Sequence, residues 1–158
     1  MNKIFVNVCE NIDEPKWLLQ VEPFLQKVTE KLNFTNEEIS VLFCDDKYIQ
    51  ELNKNYRNID SATDVLSFEN DIIYEENGVK WKCVGDIIIS LETLSENSDY
   101  FDENNNSELK RLLVHGVLHS NGMDHGEEHI EKNKKPVCKM LQIQENLLEI
   151  LKDEKVIK

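Results

Sequence analysis

The alternation of apolar and polar residues divides the chain into segments of distinct period. Residues 3–9 read as a short strand. Asp13 is a candidate cap for a helix in which Trp17, Leu18, Val21, Phe24, Leu25, Val28 and Leu32 recur at helical spacing, with Pro23 expected to kink it. Residues 38–44 predict a second strand. Asp45 and Asp46 then offer caps for a helix carrying Tyr48, Ile49, Leu52 and Tyr56 on one side, which gives way to a polar loop at Arg57. Thr63 to Phe68 predicts a third strand, and 82–89, with the unbroken run Ile87-Ile88-Ile89, a fourth that is buried on both faces. Between them Asn77-Gly78 is a two-residue hairpin signal. Ser90 is placed to cap a short helix ending near Ser98, and 99–107 reads as a solvated loop.

Ser107 and Glu108 open the next predicted helix, whose Leu109, Leu112, Leu113, Val114, Val117 and Leu118 wrap most of its circumference. A helix apolar nearly all round belongs in the interior. Beyond Pro136, the residues Val137, Met140, Leu141, Leu147, Leu148 and Leu151 predict an amphipathic final helix packed on that centre. The succession of elements implies an α+β fold, a mixed four-stranded sheet packed with helices around a central buried helix.

Composition narrows the class. A chain of 158 residues, 40% hydrophobic, is expected to form a single domain over residues 1–158. Its N-terminal apolar run is shorter than a signal-peptide core, and no stretch approaches the ~20 apolar residues of a membrane span, so a cytoplasmic location and no membrane partner are expected. Cys9, Cys44, Cys83 and Cys138 lie far apart without a Cys-x-x-Cys pair, and are expected to be reduced and mostly in the core. The net charge of −13 argues against broad adhesion to nucleic acid, which needs Lys and Arg to neutralise phosphates. Any RNA contact must then be local.

The strongest chemical signal is His115-Gly116-Val117-Leu118-His119-Ser120-Asn121-Gly122-Met123-Asp124-His125. Residues four apart share a helix face, so His115 and His119 can aim at one point, and a helix stop at Gly122 can return His125 as a third ligand. Three neutral imidazoles with the fourth tetrahedral position left to water describe a catalytic zinc site, one ion per chain. Nickel, copper and iron also accept such ligands. Ordinary buried histidines would each need a separate partner to offset desolvation, whereas one metal serves both. The spacing equals the metzincin motif His-Glu-x-x-His-x-x-Gly-x-x-His, yet Gly116 stands where those proteases place their general base. A metallopeptidase-like hydrolase with a non-standard base is therefore the weaker reading; a binding factor stabilised by zinc is another alternative.

The same residues resemble the signature of the YbeY-type endoribonucleases, or ribosomal RNA maturation factors, His-Gly-x-Leu-His-x-x-Gly-x-Asp-His, at every fixed position. The likeness extends to Leu52-Asn53-x-x-Tyr56-Arg57, Thr63-Asp64-Val65-Leu66-Ser67-Phe68 and Gly85-Asp86-Ile87, with Met140 and Gln144-Glu145 in the last helix. It departs at Ser120-Asn121, where the family usually has an apolar pair, and in lacking a basic character around the cleft. The resemblance implies a zinc-dependent, single-strand-selective endoribonuclease of small-subunit ribosomal RNA processing and ribosome quality control. Its implied partners are single-stranded ribosomal RNA, small-subunit ribosomal proteins and an assembly GTPase. His115, His119 and His125 carry over as metal ligands, and Arg57 as the catalytic arginine, stabilising charge on phosphoryl oxygens.

Other polar residues have simpler expected roles. Asp124 either orients a liganding histidine or forms the turn, and Asp86 is expected to satisfy backbone groups near the sheet. His129, one turn beyond His125, is a weak fourth candidate. Lys132, Lys134, Lys135 and Lys139 read as a solvated helix entrance before an RNA contact.

Overall fold

The sheet is mixed, with strand order β1-β2-β4-β3, and is built from β1 (Lys3–Val8), β2 (Glu37–Cys44), β3 (Val65–Glu76) and β4 (Val79–Ser90). The computed structural model describes residues 2–100, 104–125, 130 and 135–157. β1 runs parallel to β2 and β2 parallel to β4, while β3 pairs antiparallel with β4. This is the expected α+β architecture with a mixed four-stranded sheet. The Asn77-Gly78 turn joins β3 to β4, and both residues have the positive φ that a type I′ hairpin turn demands, 53° and 79°. The two strands run on to that turn, so each has 12 residues and is longer than its apolar segment implied. Cross-strand pairing, rather than burial, carries the outer half of this ribbon.

Among the described residues the α-helices are α1 (Val21–Lys31), α2 (Asp46–Arg57), α3 (Leu91–Tyr100), α4 (Asn105–Ser120) and α5 (Lys139–Ile150). α1 does not start at Asp13, which lies in irregular chain; a 3-10 turn at Leu18–Gln20 leads into it. Pro23 consequently falls in the first turn, where its missing N–H breaks no intrahelical bond and a kink has no cause. Asp45 does cap α2, accepting from the Tyr48 N–H at 2.9 Å. Its neighbour Asp46 instead accepts from the hydroxyls of Ser90 and Thr93, tying α2 to the end of β4 and the start of α3. Ser90 caps α3 through the Thr93 N–H. α4 begins earlier than Ser107 implied, because Asn104 supplies the cap, accepting from the Ser107 N–H. Val137 is exposed and α5 starts only at Lys139.

The main core lies on one face of the sheet. Ile39, Val41 and Phe43 of β2, with Ile87 and Ile89 of β4, meet Phe24, Leu25 and Val28 of α1 and Leu109, Leu113, Val114 and Val117 of α4. α4 is buried along most of its length, as its apolar circumference required. α5 closes the far side through Met140 and Leu147. On the opposite face, α2 covers only the end of the sheet near Cys44, Leu66 and Ile88. Cys44 is fully buried, Cys9, Cys83 and Cys138 are half-buried, and burial pushes the Cys44 thiol up to about 12.

Gly116 sets how closely α4 approaches the sheet. A Cβ there would stand 2.6 Å from the Ile87 Cγ2, closer than real contacts allow. Gly116→Ala is accordingly expected to destabilise the fold by about 1–3 kcal/mol, the usual cost of overpacking a filled core. Urea titration measures this; an unchanged midpoint would show that the helix can lift off the strand freely.

Candidate metal centre

α4 carries His115 and His119 one turn apart, flanking Gly116 in sequence. The helix ends at Ser120; just past its cap Asn121, Gly122 takes a φ of 84° that is open to glycine, and the Met123 N–H bonds back to the Leu118 carbonyl at 3.1 Å. This reversal brings His125 to the other two. One ring nitrogen from each of His115, His119 and His125 lies within 4.8 Å of the others, and the ring centroids are 4.7–5.2 Å apart. Among the described residues this is the one group of ligating side chains close enough to hold an ion, and it contains no fourth member. His129 lies outside the described residues.

The donor set fits a borderline divalent metal. Burial first, and then the neighbouring His125, hold the His119 pKa below its ordinary 6.5, with Arg57 adding to the effect and Asp124 opposing it. A depressed value favours the neutral ring, the form that ligates metal. The tautomer of His115 is set by a chain of polar groups. A carboxylate only accepts hydrogen bonds, so Glu145 takes the Gln144 amide nitrogen at 3.1 Å. The Gln144 oxygen is thereby turned to His115 Nδ1 at 2.8 Å, and that nitrogen must carry the proton. Nε2 is left with its lone pair, as a metal ligand requires. Gln144 is buried; behind it Arg111 reaches both Glu145, at 3.7 Å, and the buried Glu108, at 2.7 Å.

The three rings line a cavity of about 720 Å³ between α4, β3 and the C-terminal helix. Arg57, the last residue of α2, is on its wall, far in sequence from the histidines. Its Nη2 donates to the Ser67 carbonyl at 2.8 Å, and its guanidinium carbon lies 5.7 Å from the Phe68 ring centre. One fixed bond leaves the remaining donors for an anion in the cavity. Asp64 is also on the wall. Burial raises its pKa, while bonds from the Val65 N–H, Thr63 and Asn97 act the other way.

His115, His119, His125 and Arg57, the residues singled out from the sequence, all line this one cavity, and Asp124 lines it too. Sequence reasoning left Glu108, Arg111 and Gln144 without roles. Their signal was a polar stripe, Glu108, Arg111, His115, His119, on a helix otherwise apolar nearly all round. Asp86 does not serve the backbone as expected: it lies exposed on the other face of the sheet, in a separate groove. Lys135 and Lys139 are exposed and absent from the cavity lining, while Lys132 and Lys134 lie outside the described residues. Asn121, at the unusual polar pair, donates to Glu37 and to the Val117 carbonyl, joining the end of α4 to the start of β2.

A mixed sheet with a histidine triad at a helix end, beside a cavity lined by an arginine, is an arrangement that could hold a metal ion next to an anionic substrate. Comparison with known proteins gives the family. The family model for endoribonuclease YbeY matches residues 5–152, and the chain belongs to that family. It is 50% identical to the endoribonuclease YbeY of Treponema denticola over 140 residues, 86% of each chain. It is 43% identical to that of Treponema pallidum over 149 residues, covering 94% of this chain and 89% of the relative. A solution structure from Thermotoga maritima superimposes with a TM-score of 0.59 at 26% identity, covering 97% of this chain and 91% of that one.

Two outcomes follow for the site. His119 has a native pKa below the unfolded 6.5, so its contribution to metal-free stability is complete above 6.5 and is lost as pH falls through the native value. Imidazole proton shifts of the metal-free protein are expected to show this ring titrating below 6.5, and a midpoint at or above it would contradict the desolvated setting. Gln144→Ala is expected to weaken metal affinity about 10–100-fold while leaving the fold intact. Competition with a chromophoric chelator reads this, and an unchanged affinity would remove the orienting role.

Proposed function

We propose that this chain is a zinc-dependent endoribonuclease, selective for single strands, that acts in small-subunit ribosomal RNA processing and in ribosome quality control. The full 158 residues work as one nuclease domain in the cytoplasm, on ribosomal RNA and alongside small-subunit ribosomal proteins and an assembly GTPase. Family membership supports the reaction class. The observation that carries the mechanism is the convergence of three imidazoles on a cavity that also holds a positioned arginine.

His115, His119 and His125 would hold the zinc ion, which when bound would supply Lewis acidity for a phosphoryl oxygen and a water of pKa lowered towards ~7. The protein contributes position and charge. Gln144 keeps the proton on His115 Nδ1, so that the opposite nitrogen points into the cavity. Arg57, braced by Ser67, offers paired N–H donors to the non-bridging oxygens of a phosphodiester, where charge grows in the transition state. Position 116 is occupied by the Ile87 contact, so this helix has no room for the glutamate base of the metzincins. The peptidase alternative loses its usual base for a packing reason.

Single-turnover cleavage of single-stranded RNA by the zinc-loaded protein tests the proposal. Arg57→Ala is expected to cut the rate about 10²–10³-fold with zinc affinity retained. His119→Ala is expected to lose both zinc and cleavage yet keep its circular dichroism spectrum. Cleavage at the normal rate by the zinc-free protein or by the His119 variant would refute a metal mechanism, and a normal rate for the Arg57 variant would remove that residue from it.

A further inference from the structure

Beyond the region that α2 covers, the second face of the sheet is open among the described residues. Strand register places Phe5, Ser40, Asp86 and Phe68 side by side across β1, β2, β4 and β3, in one row. A groove of about 490 Å³ lies over this row, with Asn7, Ser40 and Asp86 among its polar residues and Tyr48, Tyr56 and Phe68 along its α2 side. Tyr56 is 70% exposed, and its ring meets Phe68 edge to face at 5.5 Å. The side chains of Asn7, Ser40 and Asp86 make no hydrogen bond among the described residues.

The groove and the metal cavity share a wall. Ser67 faces the cavity and its neighbour Phe68 the groove, because successive residues of β3 point to opposite faces. Arg57 sits astride this boundary, bonded to the Ser67 carbonyl and stacked toward the Phe68 ring. β3 is an edge strand, so a polymer held at Arg57 can cross it, with one unit in the cavity and the next over the groove.

From this arrangement we infer that the groove is a nucleobase subsite: Tyr56 and Phe68 stack a base next to the scissile phosphate, and Asp86 accepts from that base's amino group. The inference rests on RNA being the ligand of the cavity. An open sheet face bearing aromatic rings is a geometry suited to splayed single-stranded bases. It also answers the charge problem. A chain of net charge −13 gains little from phosphate neutralisation, whereas stacking draws on the base itself and needs no cation. A carboxylate beside the rings favours bases with an exocyclic amino group over uracil. A basic protein partner would use the Asp86 charge but not the Tyr56 ring, which separates the two occupants.

The test is fluorescence anisotropy of chelator-treated protein with short single-stranded RNAs carrying one abasic residue at successive positions. One position is expected to matter, the missing base weakening binding about tenfold. Tyr56→Ala is expected to flatten that profile and Tyr56→Phe to keep it. At the same position cytidine is expected to bind roughly fivefold better than uridine, with the difference gone in Asp86→Asn. A profile with no sensitive position, a profile unchanged in Tyr56→Ala, or no saturable binding overturns the subsite. Cleavage by the zinc-loaded wild type is scored separately. Absent cleavage with the profile intact would remove the nuclease reading alone, and normal cleavage with a flat profile would remove the subsite alone.

Discussion

Three imidazoles can share one ion only if the backbone brings them together before the ion arrives, and the structure is organised around that requirement. Two come free with helical periodicity. The third depends on a helix that stops within one turn, which Gly122 and the bond from Met123 to Leu118 provide. Orientation is a further demand, because each ring has two nitrogens and only one should face the cavity. For His115 this is solved by Gln144 and Glu145 of α5, a different helix from the one bearing the histidine. Docking of α5 on α4 is therefore part of the site as well as part of the core.

Packing and chemistry are joined along α4. Its sheet-facing side is reduced to glycine at position 116, letting the helix lie on Ile87. An adjoining stripe carries Glu108, Arg111, His115 and His119, polar groups that would be costly in an interior if they did not satisfy one another. Lys110, also buried, follows the same rule by donating to the Leu151 and Glu154 carbonyls at the end of α5. The strongly acidic composition fits such local solutions.

Much of this was legible in the sequence, for identifiable reasons. Apolar periodicity gave the element order and the buried central helix, and Asn77-Gly78 gave the hairpin because few residues tolerate two successive positive φ values. The histidines were legible because their spacing is itself a geometry. Arg57 was visible only through its resemblance to a family motif; nothing in its own neighbourhood distinguishes it from a surface cation. The reading failed where a residue's role depends on distant partners. Asp13 had the chemistry of a cap, but Trp17 and Leu18 reach the core from irregular chain and a 3-10 turn, and the α-helix begins only at Val21. Asp86 follows a glycine whose φ of 150° lets the chain pass the Phe68 carbonyl at a bulge, and the strand then presents Asp86 to the open face. Gln144 gains its function only once α5 is docked.

The claim on which the rest stands is that His115, His119 and His125 together bind one ion and leave it a position open to solvent. X-ray absorption at the zinc edge, on tag-free protein loaded with one equivalent, addresses it most directly. The account predicts scattering from three imidazoles with nitrogen at ~2.0–2.1 Å and one further oxygen from water. A sulfur shell near ~2.3 Å, or a fourth imidazole, would contradict it.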